Sequence, residues 1–172
     1  MERGKLRHIQ SVHFSGRGVQ RSLCSNALVP LLTRSLIYDN GASITGKGID
    51  FSLRRLKLHL RKHFKKHGNA GYAVLVDFKG YFDNICHAPL YDLYGRVSGE
   101  DERLVALASL FIDAFGELGL GLGSETSQIN AIAYPNSIDH YIKEVLRCKY
   151  YGRYMDDSYI ICETKQQAAA IL

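Results

Sequence analysis

Two adjacent carboxylates, Asp156 and Asp157, lie between strand-like runs at 149–154 and 158–162, so a β-hairpin with both acids at its tip is expected. Neighbouring carboxylates repel. An ordered pair at a tight turn is either solvated or neutralised by a cation, for which oxygen-seeking Mg2+ is the natural choice. Asp is also a common turn residue, so the pair alone is weak evidence of chemistry. A third acid adds to it: residues 71–76 form an apolar run that reads as a buried strand and ends on Asp77. If the hairpin lies beside that strand, Asp77 and Asp156 share one site. Carboxylates reaching two divalent ions are the minimum equipment of two-metal phosphoryl transfer.

Around these acids the pattern is mostly helical. Apolar positions Val19, Leu23, Ala27, Leu31 and Leu32 recur at helical spacing, with Pro30 expected to kink or restart the helix. Residues 1–18, with Gly16 and Gly18, read as an extended arm or small hairpin. A helix is expected over 51–67, capped by Asp50 and stopped by Gly68, with Leu53, Leu56, Leu60 and Phe64 as its inward seam. Its other face carries Arg54, Arg55, Lys57, Arg61, Lys62, Lys65 and Lys66, seven of the 22 basic residues, with no acid among them. Solvated faces normally mix signs, so this run favours contact with a nucleic-acid backbone. His59, His63 and His67 lack carboxylate or Cys neighbours and read as an extension of the basic face rather than a metal site. Further helices are expected at 88–97, then to about 115 with Ser98 and Asp101 as the capping signature, at 124–147 with Pro135 bending or splitting it, and from 166 onward.

The 172 residues suffice for one domain with a subdomain. A net charge of +5 is too small to identify a binding partner, and the four cysteines show no CxxC, which argues against a zinc knuckle or disulfide framework. No eighteen-residue apolar stretch and no signal core exist, so a cytoplasmic protein with no membrane association is expected.

The run Asp77-Phe78-Lys79-Gly80-Tyr81-Phe82-Asp83-Asn84-Ile85, followed by Arg153-Tyr154-Met155-Asp156-Asp157, resembles the palm of reverse transcriptases, in the bacterial branch of group II intron, retron and diversity-generating enzymes. Gly4-Lys5-Leu6-Arg7, Gly16-Arg17-Gly18-Val19-Gln20 and residues 119–134 agree in order. The resemblance implies an α+β fold: an antiparallel palm sheet backed by helices (residues 71–172, with 86–118 a helical insertion) and a largely helical fingers region (residues 1–70). Primer grip and thumb are absent from the stretch, so this piece alone is expected to grip a primer–template poorly.

By the same resemblance the chain would be an RNA-directed DNA polymerase core, a magnesium-dependent nucleotidyltransferase of a mobile element. Asp77 and Asp156 would bridge two Mg2+ ions, Mn2+ being a substitute, with Asp157 assisting and the Phe78 carbonyl completing one coordination shell. Lys5, Arg7 and Arg17 would close over the triphosphate of a dNTP, their assignment resting on the resemblance. Lys79, Gly80 and Tyr81 would present backbone N–H groups to it, and Gly123 lies in the nucleotide loop. Phe82 matches the sugar gate that excludes a 2′-hydroxyl. Arg54, Arg55, Arg61, Lys62, Lys65, Lys66, Ser127, Gln128 and Tyr154 would contact the RNA template and the DNA or RNA primer, and a structured RNA is a further partner. Two departures stand out. Gly16-Arg17-Gly18-Val19-Gln20 stands where relatives commonly have Asp-Arg-Ile-Val-Gln, and Gly121-Leu122 replaces Pro-Gln, removing a hydrogen bond near the nucleotide. The alternatives are an RNA-dependent RNA polymerase, disfavoured by Phe82 and Tyr-Met-Asp-Asp, a non-catalytic nucleic-acid-binding fragment of a polymerase-like protein, and an unrelated basic helical module.

Overall fold

Alternation of side chains along residues 72–77 and 157–162 builds a three-stranded antiparallel sheet from β1 (Tyr72–Asp77), β2 (Tyr151–Tyr154) and β3 (Asp157–Cys162), in the order β1-β3-β2. The computed structural model describes residues 13–171, so the expectations placed on Lys5, Arg7 and the N-terminal arm to residue 12 lie outside the described residues. Two compact units emerge, one from Met1–Arg34 with Gly80–Tyr134 and the other from Ser35–Lys79 with Pro135–Leu172.

The first unit is helical. α1 (Phe14–Leu23) runs without a break through a π-helical segment, Cys24–Leu28, into α2 (Val29–Thr33), so Pro30 lies just after a local widening of the helix and does not restart it. Gly16 and Gly18 are thus inside a helix, correcting the expected arm or turn. α4 (Ala88–Ser98), α5 (Glu102–Asp113) and α6 (Glu125–Ala133) complete the unit. Asp101 alone caps α5, accepting from the amides of Arg103 and Leu104; Ser98, expected to share the cap, ends α4 instead and donates to the Gly95 carbonyl. α6 lies almost wholly buried, and Gln20 of α1 donates from its amide to Ser124, the α6 N-cap, at 3.0 Å.

The second unit holds the sheet between α3 (Ile49–His67) on one face and α7 (Asn136–His140) with α8 (Lys165–Ile171) on the other. Ile37, Val74, Tyr151, Ile160, Cys162 and Ala168 form its core. Pro135 splits the expected 124–147 helix, and residues 141–145 continue α7 as a π-helical turn. Two corrections concern burial. The Asp77 strand is an outer strand, not a buried central one: Leu75 is 79% exposed, and β3 takes the centre. On α3 the leucine seam is not the buried stripe. Leu53 is 57% and Phe64 59% exposed, while His59 (3%) and His63 are buried. At 100° per residue the two stripes are about a quarter-turn apart. The histidines win because the sheet and the loop leading into it offer them partners: His59 Nδ1 meets the β3 Tyr159 hydroxyl at 3.0 Å, and His63 Nε2 meets the Ala70 carbonyl just before β1 at 2.8 Å. They do not extend the basic face. Gly48, not Asp50, is the residue that caps α3, whose C-terminal Gly68 takes the left-handed φ of +63°. Of the cysteines, Cys24 and Cys162 are buried, whereas Cys86 is exposed.

Candidate active site

The acid pair arises from ladder register. β1 and β3 pair Asp77 with Asp157, Val76 with Ser158 and Leu75 with Tyr159. Because side chains alternate across a sheet, Asp77 and Asp157 project from the same face. Asp156 occupies the two-residue turn joining β2 to β3, behind Met155, whose φ is +58°. All three predicted acids therefore meet at one end of one sheet. Asp157, rather than Asp156, stands directly opposite Asp77.

Asp157 bears the electrostatic mark of that crowding: partial burial, then the charges of Asp156 and Asp77, push its carboxyl above the ordinary range. The oxygen-only donor set suits a hard divalent ion, which keeps waters and phosphate oxygens for the rest of its shell. Among the described residues no three His, Cys, Asp or Glu side chains are gathered tightly enough to hold a metal ion. These acids would need substrate oxygens to complete such a shell.

An open cavity of about 360 Å3 begins at the acids and runs along the α3 face of the sheet, with Leu53, Leu56 and Leu75 among its walls and Asp39 at its side. In the sequence Asp39 stands out only as part of an Asp-Asn-Gly turn. Buried, it gathers the Arg55 guanidinium (2.5 Å) and the Lys143 ammonium (2.6 Å). Burial raises its carboxyl, and the two cationic hydrogen bonds outweigh that, leaving it below the usual value. Arg55 is thus committed to Asp39 rather than displayed with Arg54, Arg61, Lys62 and Lys65, which are exposed; exposed Lys66 pairs with Glu163 at 3.4 Å. Burial, against the attraction of Asp39 and with the help of Arg55 and Lys143, lowers His59 to about 4, so its ring is neutral at pH 7. Gly152 has a steric reason: a Cβ there would lie 2.7–2.8 Å from the Tyr159 ring that reaches across β2 to His59.

Tyr154 is exposed at the end of β2, Lys79 is exposed and Phe78 half-buried after β1. Gly80, Tyr81, Phe82, Gly123, Ser127 and Gln128 belong to the helical unit. There Tyr81 is buried, its hydroxyl donating to the Ala131 carbonyl; Phe82 is half-buried, Gly80 and Gly123 are exposed, Ser127 is buried and Gln128 exposed. Arg17 is exposed on α1. The loop at 118–120 is tied under the turn after Phe82: Leu120 N–H donates to the Phe82 carbonyl at 2.7 Å and Gly119 N–H to the Ile85 carbonyl at 2.9 Å. Sequence reasoning does not single out Asp39 or Asp139 as functional. Each is a lone acid in a turn or helix, and only the fold shows the cations gathered on it.

An antiparallel sheet backed by helices, with three acids gathered at the end of an outer strand and a hairpin, makes this an α+β fold. No protein-family model matches the chain, and no curated protein does. Among solved structures the chain is similar to apo telomerase from Candida tropicalis truncated from its C-terminal domain, with a TM-score of 0.62 and 15% identity over 90% of this chain. The chain spans 35% of the length of that protein. No helix among the described residues is long and apolar enough to cross a membrane.

Proposed function

We propose that this chain is the catalytic core of an RNA-directed DNA polymerase, adding dNTPs to a primer 3′-hydroxyl on an RNA template. The observation that carries the reading is the register that sets Asp77 opposite Asp157, the residue that follows Asp156 out of the hairpin turn. Fold likeness to a telomerase supports it, and the wording of the Asp77 and Tyr-Met-Asp-Asp motifs is the ground for placing the chain with the bacterial group II intron, retron and diversity-generating enzymes.

Asp77, Asp156 and Asp157 would hold two Mg2+ ions, which when bound activate the hydroxyl and neutralise the leaving pyrophosphate. The chain's own contribution is positional. The outer strand and the hairpin fix the acids at one sheet end, Phe82 would restrict the sugar, and Lys79 and Arg17 would meet triphosphate oxygens. Arg54, Arg61, Lys62 and Lys65 offer exposed positive charge for template or primer phosphates.

Primer extension on an RNA template with Mg2+ tests this, comparing dNTPs with NTPs for the protein and for Asp156→Ala. Extension with dNTPs that the substitution abolishes is expected. Extension with NTPs alone would instead identify an RNA-dependent RNA polymerase, and salt-dependent binding without extension a non-catalytic nucleic-acid-binding protein.

A further inference from the structure

One buried ion pair stands directly behind the acid turn. The Arg153 side chain projects from the sheet face opposite Asp77 and Asp157, where it is 2% exposed and meets Asp139 of α7, which is 0% exposed. Arg153 Nε lies 2.9 Å from Asp139 Oδ1, and Nη2 lies 2.7 Å from Oδ2, a two-pronged contact. The remaining nitrogen, Nη1, donates to the Met155 carbonyl at 2.8 Å. The Tyr151 hydroxyl, two residues back on the same strand face, donates to Asp139 as well.

Main-chain bonds lock the same residue. Arg153 N–H donates to the Asp39 carbonyl at 3.1 Å, and the Arg153 carbonyl accepts from Gly41 N–H at 3.1 Å. Asp39 itself gathers Arg55 and Lys143, so two charged networks converge on the residue three places before Asp156.

Desolvating an ion pair is expensive, and an apolar pair of similar volume often serves stability equally well. Stability alone therefore does not account for a guanidinium here. A planar fork with donors on separate edges can hold a carboxylate and a turn carbonyl simultaneously, which neither a lysine nor an apolar side chain can do. The carbonyl it holds belongs to Met155, the left-handed residue that aims Asp156 and Asp157.

We propose that Arg153, oriented by Asp139, is a positioning residue that sets the acid turn from behind, so that cation affinity at the acids depends on a side chain that does not touch the cation. This rests on reading Asp77, Asp156 and Asp157 as the functional acids.

The test compares the protein with Arg153→Lys and with the double apolar variant Arg153→Met/Asp139→Leu. The first readout is amide hydrogen exchange without metal. The Asp156 and Asp157 amides are expected to exchange about tenfold faster in both variants, while the Ile160 and Cys162 amides keep their protection. The second is the Mg2+ concentration for half-maximal extension, expected to rise by about ten- to a hundredfold, the range for residues that orient metal ligands. Unchanged turn exchange and an unchanged Mg2+ midpoint in a folded variant would overturn the proposal, leaving the pair as packing. If the double variant fails to fold, Arg153→Lys decides, since it keeps a cation for Asp139 while losing the fork. If Asp156→Ala leaves extension intact, the polymerase reading fails, and turn exchange still judges the positioning role separately.

Discussion

Asp77 and Asp157 face each other directly across the β1–β3 ladder. Like charges at a directly opposed pair, with Cβ atoms about 5 Å apart, destabilise a sheet until a cation enters between them. Neutralising Asp77 as Asp77→Asn should therefore leave thermal stability unchanged or slightly raised while reducing Mg2+-dependent extension by about two to three orders of magnitude, the usual weight of one transition-state electrostatic interaction. Melting curves and single-turnover extension measured together would check this; a parallel fall in both would indicate a structural acid.

The pH dependence of stability follows from Asp157. Its folded carboxyl titrates above its unfolded value, so between the two values the folded state binds more protons and stability falls as pH rises. Asp157→Asn should stabilise the metal-free protein at pH 7, by no more than about 0.5 kcal/mol because the side chain is exposed and solvent-screened, and the gain should vanish below the unfolded carboxylate value. Denaturant midpoints at pH 7 and pH 3.5 would check the sign.

α3 should bind nucleic acid through charge rather than sequence. Lys62→Glu with Lys65→Glu is expected to weaken oligonucleotide binding and reduce the slope of log affinity against log salt by about one for each phosphate no longer neutralised. Titrations at several salt concentrations read the slope; an unchanged slope would move the backbone-binding face elsewhere.

Phe82→Ala should relax sugar choice. If the ring excludes a 2′-hydroxyl, the preference for dNTP over NTP should fall by at least about tenfold, the scale of discrimination by pocket shape. Competing incorporation assays measure that ratio.

Gly119 supports a stability prediction in the helical unit. Its φ is +87°, and an added Cβ would sit 3.0 Å from the Asp83 carbonyl oxygen. Gly119→Ala should cost about 1–3 kcal/mol, since backbone strain and a main-chain clash act together. Thermal unfolding would show it as a lowered midpoint.

Much of this fold is readable from local rules. Strand alternation and the Asp-Asp turn announce the hairpin, Asp101 and Ser124 announce helix starts, and Pro135 announces a break. What is not readable depends on which neighbours an element meets. α3 carries an apolar stripe and a histidine stripe about a quarter-turn apart, and periodicity alone favours the leucines. The surroundings decide otherwise, because Tyr159 in the sheet and the Ala70 carbonyl in the loop before β1 give the imidazoles hydrogen-bond partners that leucines cannot use. Residues 72–77 likewise look like a central strand in composition, and only pairing places them at the sheet's edge. The Asp39 and Asp139 networks are invisible in sequence because each cation arrives from a different element, at a spacing that no local rule connects to the acid.

In Tyr154-Met155-Asp156-Asp157 the backbone restricts what the second place accepts. At φ +58° Met155 occupies conformational territory where a Cβ is unwelcome and where glycine or asparagine is at ease. A library randomised at position 155 and sorted for heat resistance alone should drift toward those two residues, making that position a gauge of how far durability and turnover select the same hairpin.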